Sequence, residues 1–175
     1  MADLDRRLAY LLGRQKAALQ TLERLASTDC MIPELQAEAE QTVYHELAWA
    51  QSALDLRAAG LGLDSIPAHQ KPDLSDKEQE AADLIPVRLV RGPIPLGHHM
   101  HRLDEETRQQ WRQLLNTRKD RSIYTLSPLA LYWADGARSI LEIADLIELE
   151  SGRRDVELTL AYLRLLAKLG FVEFK

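Results

Sequence analysis

Three imidazoles within four positions, His98, His99 and His101, form the densest group of side chains in this sequence able to hold a metal ion. Imidazole is a common metal ligand near neutral pH. His98 and His101 are three apart, so a helix would bring both to one face, with Asp104, Glu105 and Glu106 following within reach. Zinc sites, however, usually draw three or four ligands from rigid elements. Here the segment follows Gly92-Pro93-Ile94-Pro95-Leu96-Gly97, which must be extended and irregular, and the H-E-x-x-H spacing is absent. The three histidines are weak metal candidates. Their simpler reading is a loop whose rings hydrogen-bond or face solvent, and no cofactor is expected.

Other reactive residue types are isolated. His45-Glu46 with Trp49 falls on a long helix and reads as a packing surface. Cys30, the single cysteine, has no basic neighbour to lower its pKa and cannot form an internal disulfide. Arg88, Arg91 and Arg102 surround the Pro-rich turn and could receive a carboxylate or phosphate. Asp and Glu equal Lys and Arg in number between Asp73 and Arg121, so pairing at a ribbon edge is the plainer reading. No G-x-S-x-G elbow, phosphate-binding loop or dinucleotide fingerprint occurs. Catalysis by this chain is not expected.

The elements that would position these residues are mostly helical. Asp3 to Ser27 carries Leu4, Leu8, Leu11, Ala18, Leu22 and Leu25 at helical spacing, weakened at Gly13. Pro33 suits the first turn of a second long helix, whose stripe is Ala39, Val43, Leu47, Ala50 and Leu54 and which Gly60 ends. Two such helices joined by a short connector form an antiparallel hairpin. A hairpin has two broad faces and can satisfy only one by itself, so it must pack on the rest of the chain or on another chain.

Residues 61–121 read as a connector with short elements. Ser75-x-x-Glu78 is a capping box that starts a helix through Leu84. Pro86-Val87-Arg88-Leu89-Val90-Arg91 reads as a strand that Pro86 confines to an edge. Asp104 caps a helix bearing Trp111, Leu114 and Leu115, and Lys119-Asp120-Arg121 is a charged linker.

Residues 122–175 read as a winged-helix-like unit. Ser127-Pro128 starts a first helix that Asp135-Gly136 stops. Ser139-x-x-Glu142 is a second capping box, and Ile140, Ile143, Ala144 and Ile147 share one face. A third helix runs from Asp155 to Leu169. Phe171 to Phe174 alternates as a strand, and pairing with the Pro86 strand would complete the wing. The fold expected is therefore mainly α: a long antiparallel hairpin, residues 1–60, packed with a three-helix winged unit and a small β ribbon.

The third helix of a winged unit commonly reads DNA. In this chain Val156, Leu160, Leu163 and Ala167 form one apolar stripe, and Leu158, Tyr162, Leu165 and Leu169 a second. A helix apolar on two faces is buried on both. Residues 122–175 hold six Lys or Arg against eight Asp or Glu, and phosphate binding needs the opposite balance. Only Arg153-Arg154 favours DNA. The second stripe, with Arg153 and Arg154, is the expected interaction surface, for a protein partner or a second copy. A winged-helix regulator and a peptide-binding winged helix are the alternatives.

Val87-Arg88-Leu89-Val90-Arg91-Gly92-Pro93-Ile94-Pro95, together with Leu131-Tyr132-Trp133-Ala134-Asp135-Gly136, Ser139-Ile140-Leu141-Glu142-Ile143 and Leu149-Glu150-Ser151-Gly152, resembles a known arrangement. It is similar to the C-terminal accessory region that follows the catalytic domain in some bacterial two-metal zinc aminopeptidases. The resemblance runs from about Pro86 to Lys175 and implies a helical, winged-helix-like, non-catalytic module. The family's metal ligands belong to an α/β domain that has no counterpart here, so no catalytic or zinc-binding residue is carried over.

Composition sets the outer bounds. The 175 residues are 46% hydrophobic and 28% charged, which is the balance of a folded domain or two small ones. The net charge of −5 gives no lead toward nucleic acid. No stretch suggests a leader peptide or a membrane span, and a cytoplasmic location is expected.

Overall fold

The computed structural model describes residues 2–23, 31–63, 73–118 and 122–175. The chain divides into two compact units, Met1–Lys71 and Pro72–Lys175. Among the described residues there are seven α-helices and one two-stranded antiparallel sheet, and no helix is long and apolar enough to cross a membrane.

The first unit is a pair of helices, α1 (Ala2–Glu23) and α2 (Ile32–Gly60). α1 runs through Gly13 without interruption, and Pro33 occupies the first turn of α2, where its missing N–H is harmless. Lys16 of α1 pairs with Glu40 of α2. These residues lie about equally far from the connection, as antiparallel helices require. Ile32, Ala39 and Ala58 are the buried residues of α2, with Val43, Leu47, Ala50 and Leu54 half-buried on the same side. Cys30 and the rest of 24–30 lie outside the described residues, as do 64–72 and the Lys119-Asp120-Arg121 linker.

The second unit takes in much of what the sequence suggested was a connector. Its elements are α3 (Asp76–Asp83), β1 (Pro86–Arg88), two short 3-10 turns at Leu96–His98 and Met100–Arg102, α4 (Glu105–Asn116), α5 (Ser122–Trp133), α6 (Ile140–Ser151), α7 (Val156–Lys168) and β2 (Val172–Phe174). Ala81, Leu103 and Trp111 join the same core as Ile140, Ile143, Ile147, Leu158, Leu163 and Leu166. The boundary expected at residue 121 does not separate compact units: 73–118 joins this core, with α3 packed on α6 and α7 and α4 on α7.

Both capping boxes form. The Ser75 and Ser139 hydroxyls accept from the amides of Glu78 and Glu142, and each carboxylate accepts the serine amide in return. Gly152 ends α6 in the left-handed conformation. α5 begins five residues before the expected Ser127 start, and Pro128 lies inside it. Pro128 removes one helical hydrogen bond near the middle of a short helix. Burial of Leu126, Ala130 and Leu131 on either side of it offsets that loss.

The ribbon pairing expected from sequence is present. β1 and β2 are antiparallel, with Pro86 opposite Phe174, Val87 opposite Glu173 and Arg88 opposite Val172. The expected edge position of β1 is corrected. Its other side meets residues 134–136: the Arg88 amide donates to the Ala134 carbonyl at 2.8 Å, and the Gly136 amide donates to the Pro86 carbonyl at 2.9 Å. Pro86 tolerates this central place because it opens the strand. β1 also stops three residues earlier than expected. The Arg88 guanidinium turns back to the carbonyls of Val90 and Gly92, and Gly92 takes a positive φ of 91°.

Candidate functional site

The histidine cluster occupies the two 3-10 turns. His98 and His101 are exposed, and His99 is half-buried with its ring edge-on to Phe171, 4.8 Å between centroids. The Arg102 guanidinium lies over the same Phe171 ring and donates to the Leu169 carbonyl at 3.2 Å. His99 and Arg102 therefore brace the start of β2. Among the described residues no group of three His, Cys, Asp or Glu side chains is placed to hold a metal ion.

The expected interaction surface on α7 is corrected. Leu158, Tyr162, Leu165 and Leu169 are all buried within the second unit, at 4% exposure or less. α3, α4, α5 and α6 all supply buried residues to the same core, and Trp111 of α4 meets the Tyr162 ring at 6.4 Å. Burial pushes the Tyr162 phenol up to about 12, against a small opposing pull from Arg88. The two apolar stripes were legible in sequence, but their common destination was not, because it depends on α3 and α4 being drawn into the core.

Both arginines are exposed, and the partners of Arg154 are carboxylates of two helices. Arg154 donates to Asp145 and to Glu78, each at 2.7 Å, and so joins α3 to the α6–α7 turn. Its hydrogen bond to Arg154, then those from Ser75, hold the Glu78 carboxyl down at about 2. At the start of α7, Asp155 caps the helix by accepting from the Leu158 amide at 2.8 Å. Arg118, after α4, grips that carboxylate with two bonds, 2.9 and 3.1 Å, and reaches Glu157 at 2.7 Å. These bonds, the Asp155 pair foremost, raise the Arg118 pKa despite burial.

Two surface features remain. The first is a cleft of about 400 Å³ between α4 and α7, with Lys77 of α3 on its rim. α4 contributes Thr107, Gln110, Trp111 and Leu114, and α7 contributes Glu157, Leu160, Ala161, Arg164, Leu165 and Lys168. Both sets follow helical i, i+3, i+4, i+7 spacing, so the cleft runs along the two helices. The Lys168 ammonium donates to the Thr107 hydroxyl at 2.6 Å. That buried hydroxyl in turn donates to Asp104, the N-cap of α4, at 2.8 Å. The Thr107 amide and hydroxyl keep the Asp104 carboxyl below its ordinary range.

The second feature belongs to the first unit. Trp49 and Leu56 of α2 are 71% and 77% exposed, and Leu35 is also exposed. Spacings of fourteen and seven residues put these three near one line of the helix; Leu35, four residues before Ala39, borders the buried face, and Trp49 and Leu56 lie farther round from it. Exposed aromatics of this kind were visible in sequence at Trp49, which the helical pattern assigned to hairpin packing.

No protein-family model, no curated protein and no solved structure matches this chain.

Proposed function

We propose that this chain is a non-catalytic protein-interaction module whose hairpin unit associates with a second copy of itself. The observation that carries this reading is the line Leu35, Trp49, Leu56 along α2. A two-helix hairpin encloses one seam, and here that seam fully buries only Ile32, Ala39 and Ala58 on α2. Two hairpins laid face to face make a four-helix bundle, which buries the second face as well. Exposed apolar patches mark contact surfaces, and tryptophan is favoured as an interface anchor.

The second unit is read as a winged-helix-like accessory fold. Support comes from the order α5, α6, α7, β2, with β1 lying between β2 and the 134–136 segment. In this reading the strand that closes the wing is supplied from upstream of the three helices. The resemblance of Pro86–Lys175 to the accessory region of two-metal aminopeptidases points the same way, to a module without chemistry of its own. DNA recognition draws less support. Eight of the thirteen residues of α7 are buried, Arg154 is engaged by two carboxylates, and Arg164 pairs with Glu80.

The test is sedimentation velocity of the full chain beside Trp49→Ser and Leu56→Glu. Association is expected in the native chain and its loss in both variants, which leaves a 19.9 kDa species. Variants that associate as the native chain does would overturn the proposal.

A further inference from the structure

The cleft between α4 and α7 is lined entirely by residues of the second unit. Its floor is apolar, built from Trp111, Leu114, Leu160, Ala161 and Leu165. Its lining holds three cations, Lys77, Arg164 and Lys168, and one anion, Glu157, which Arg118 holds; just outside it Glu80 pairs with both Lys77 and Arg164, and Asp104 lies within electrostatic reach of Lys168. The volume of about 400 Å³ suits a small organic molecule. From Glu157 to Lys168 the α7 wall is roughly 16 Å long at the helical rise, so the cleft fits an elongated body.

We propose that this cleft binds an amphipathic organic carboxylate. Its apolar chain lies along Trp111, Leu114, Leu160 and Leu165, and its carboxylate meets Lys168 and Arg164. Lys168 is preorganised for this. The buried Thr107 hydroxyl holds its ammonium through one of three donors, and among the described residues no carboxylate ion-pairs with it within 4 Å. Arg164 pairs with Glu80, but a guanidinium has five N–H groups and can serve a second acceptor. Charge-assisted hydrogen bonds at the margin of an apolar floor select an anion over a neutral or cationic molecule of the same length.

Dodecanoate, titrated into the full chain below its micelle concentration and followed by calorimetry, is the probe. One saturable site per chain is expected, and dodecyltrimethylammonium should bind at least about tenfold more weakly. Lys168→Met and Arg164→Gln should each weaken dodecanoate by about tenfold, with native helical circular dichroism retained at the assay temperature. Two variants on the same rim guard against loss of fold in either one. Equal binding of the two probes, no saturable binding, or binding insensitive to both variants would overturn the proposal. So would binding abolished by Trp49→Ser, which would place the molecule on α2 instead.

Discussion

The ammonium of Lys175 donates to the carbonyl of Gly136 at 3.0 Å, filling the place that the missing amide of Pro86 leaves. Gly136 and Pro86 face each other across the ladder, and the Gly136 amide gives its bond to the Pro86 carbonyl. The reciprocal bond is impossible for proline. Lys175 follows β2 directly, its own amide bonds to Ile85, and so its side chain reaches across β1. Lys175 thus completes a ladder that begins with a proline.

Lys175→Met should therefore destabilise the chain by about 0.5–1.5 kcal/mol, the usual net worth of a hydrogen bond. Gly136→Ala should have the larger effect, about 1–3 kcal/mol. Gly136 has φ 80°, and an added Cβ would sit 3.0 Å from both the Val87 methyl and the Lys175 ammonium. Urea unfolding monitored by circular dichroism measures both. A Gly136→Ala chain as stable as the native one would contradict this account of the turn.

Asp155 serves two neighbours at once. It caps α7 and receives both nitrogens of Arg118, with side chains only 19% and 24% exposed. Asp155→Ala should lower stability by about 1–3 kcal/mol, since it removes the cap and both charge-assisted bonds from Arg118. In a double-mutant cycle with Arg118→Gln, a coupling of about 0.5 kcal/mol or more is expected. Strict additivity would mean that the two residues do not cooperate.

Glu78 predicts an acid limb. Its folded pKa is lowered from 4.5 to about 2, by Arg154 first and Ser75 next. A depressed carboxylate contributes stability that is full above its unfolded pKa and is lost as pH falls through the folded one. Stability should therefore decline between about pH 4.5 and 2, and Glu78→Gln should flatten that decline while lowering stability at neutral pH. Thermal melts across this range decide it, and an unchanged slope in Glu78→Gln would count against the Arg154 link.

Burial of Tyr162 makes the opposite statement at high pH. Its pKa is raised to about 12, so its contribution holds below the ordinary value near 10 and is lost as pH rises toward 12. Ultraviolet titration should show one tyrosine that ionises only late or together with unfolding. Ionisation of every tyrosine near pH 10 in the folded chain would contradict its burial.

Local chemistry was the readable part of this sequence. Ser75 with Glu78 and Ser139 with Glu142 announce their helix starts because capping depends on four consecutive residues. The β1–β2 pairing was readable from two short alternating runs. The place of β1 in the sheet was not, because it depends on Lys175 and Gly136 accommodating Pro86. The cleft was invisible for a similar reason. Glu157, Arg164 and Lys168 are the charged residues of α7, but Trp111 and Thr107 face them only once α4 has docked. The buried fate of Tyr162 and Leu165 likewise follows from long-range packing that periodicity along one helix does not encode.

The most direct test of the central claim is the solution mass of the unmodified chain, by light scattering on gel filtration across a range of concentrations. The account predicts a species of about twice 19.9 kDa that gives way to the monomer on dilution. A mass that stays at 19.9 kDa at the highest concentration would contradict it, and the exposed line of Leu35, Trp49 and Leu56 would then need a different partner.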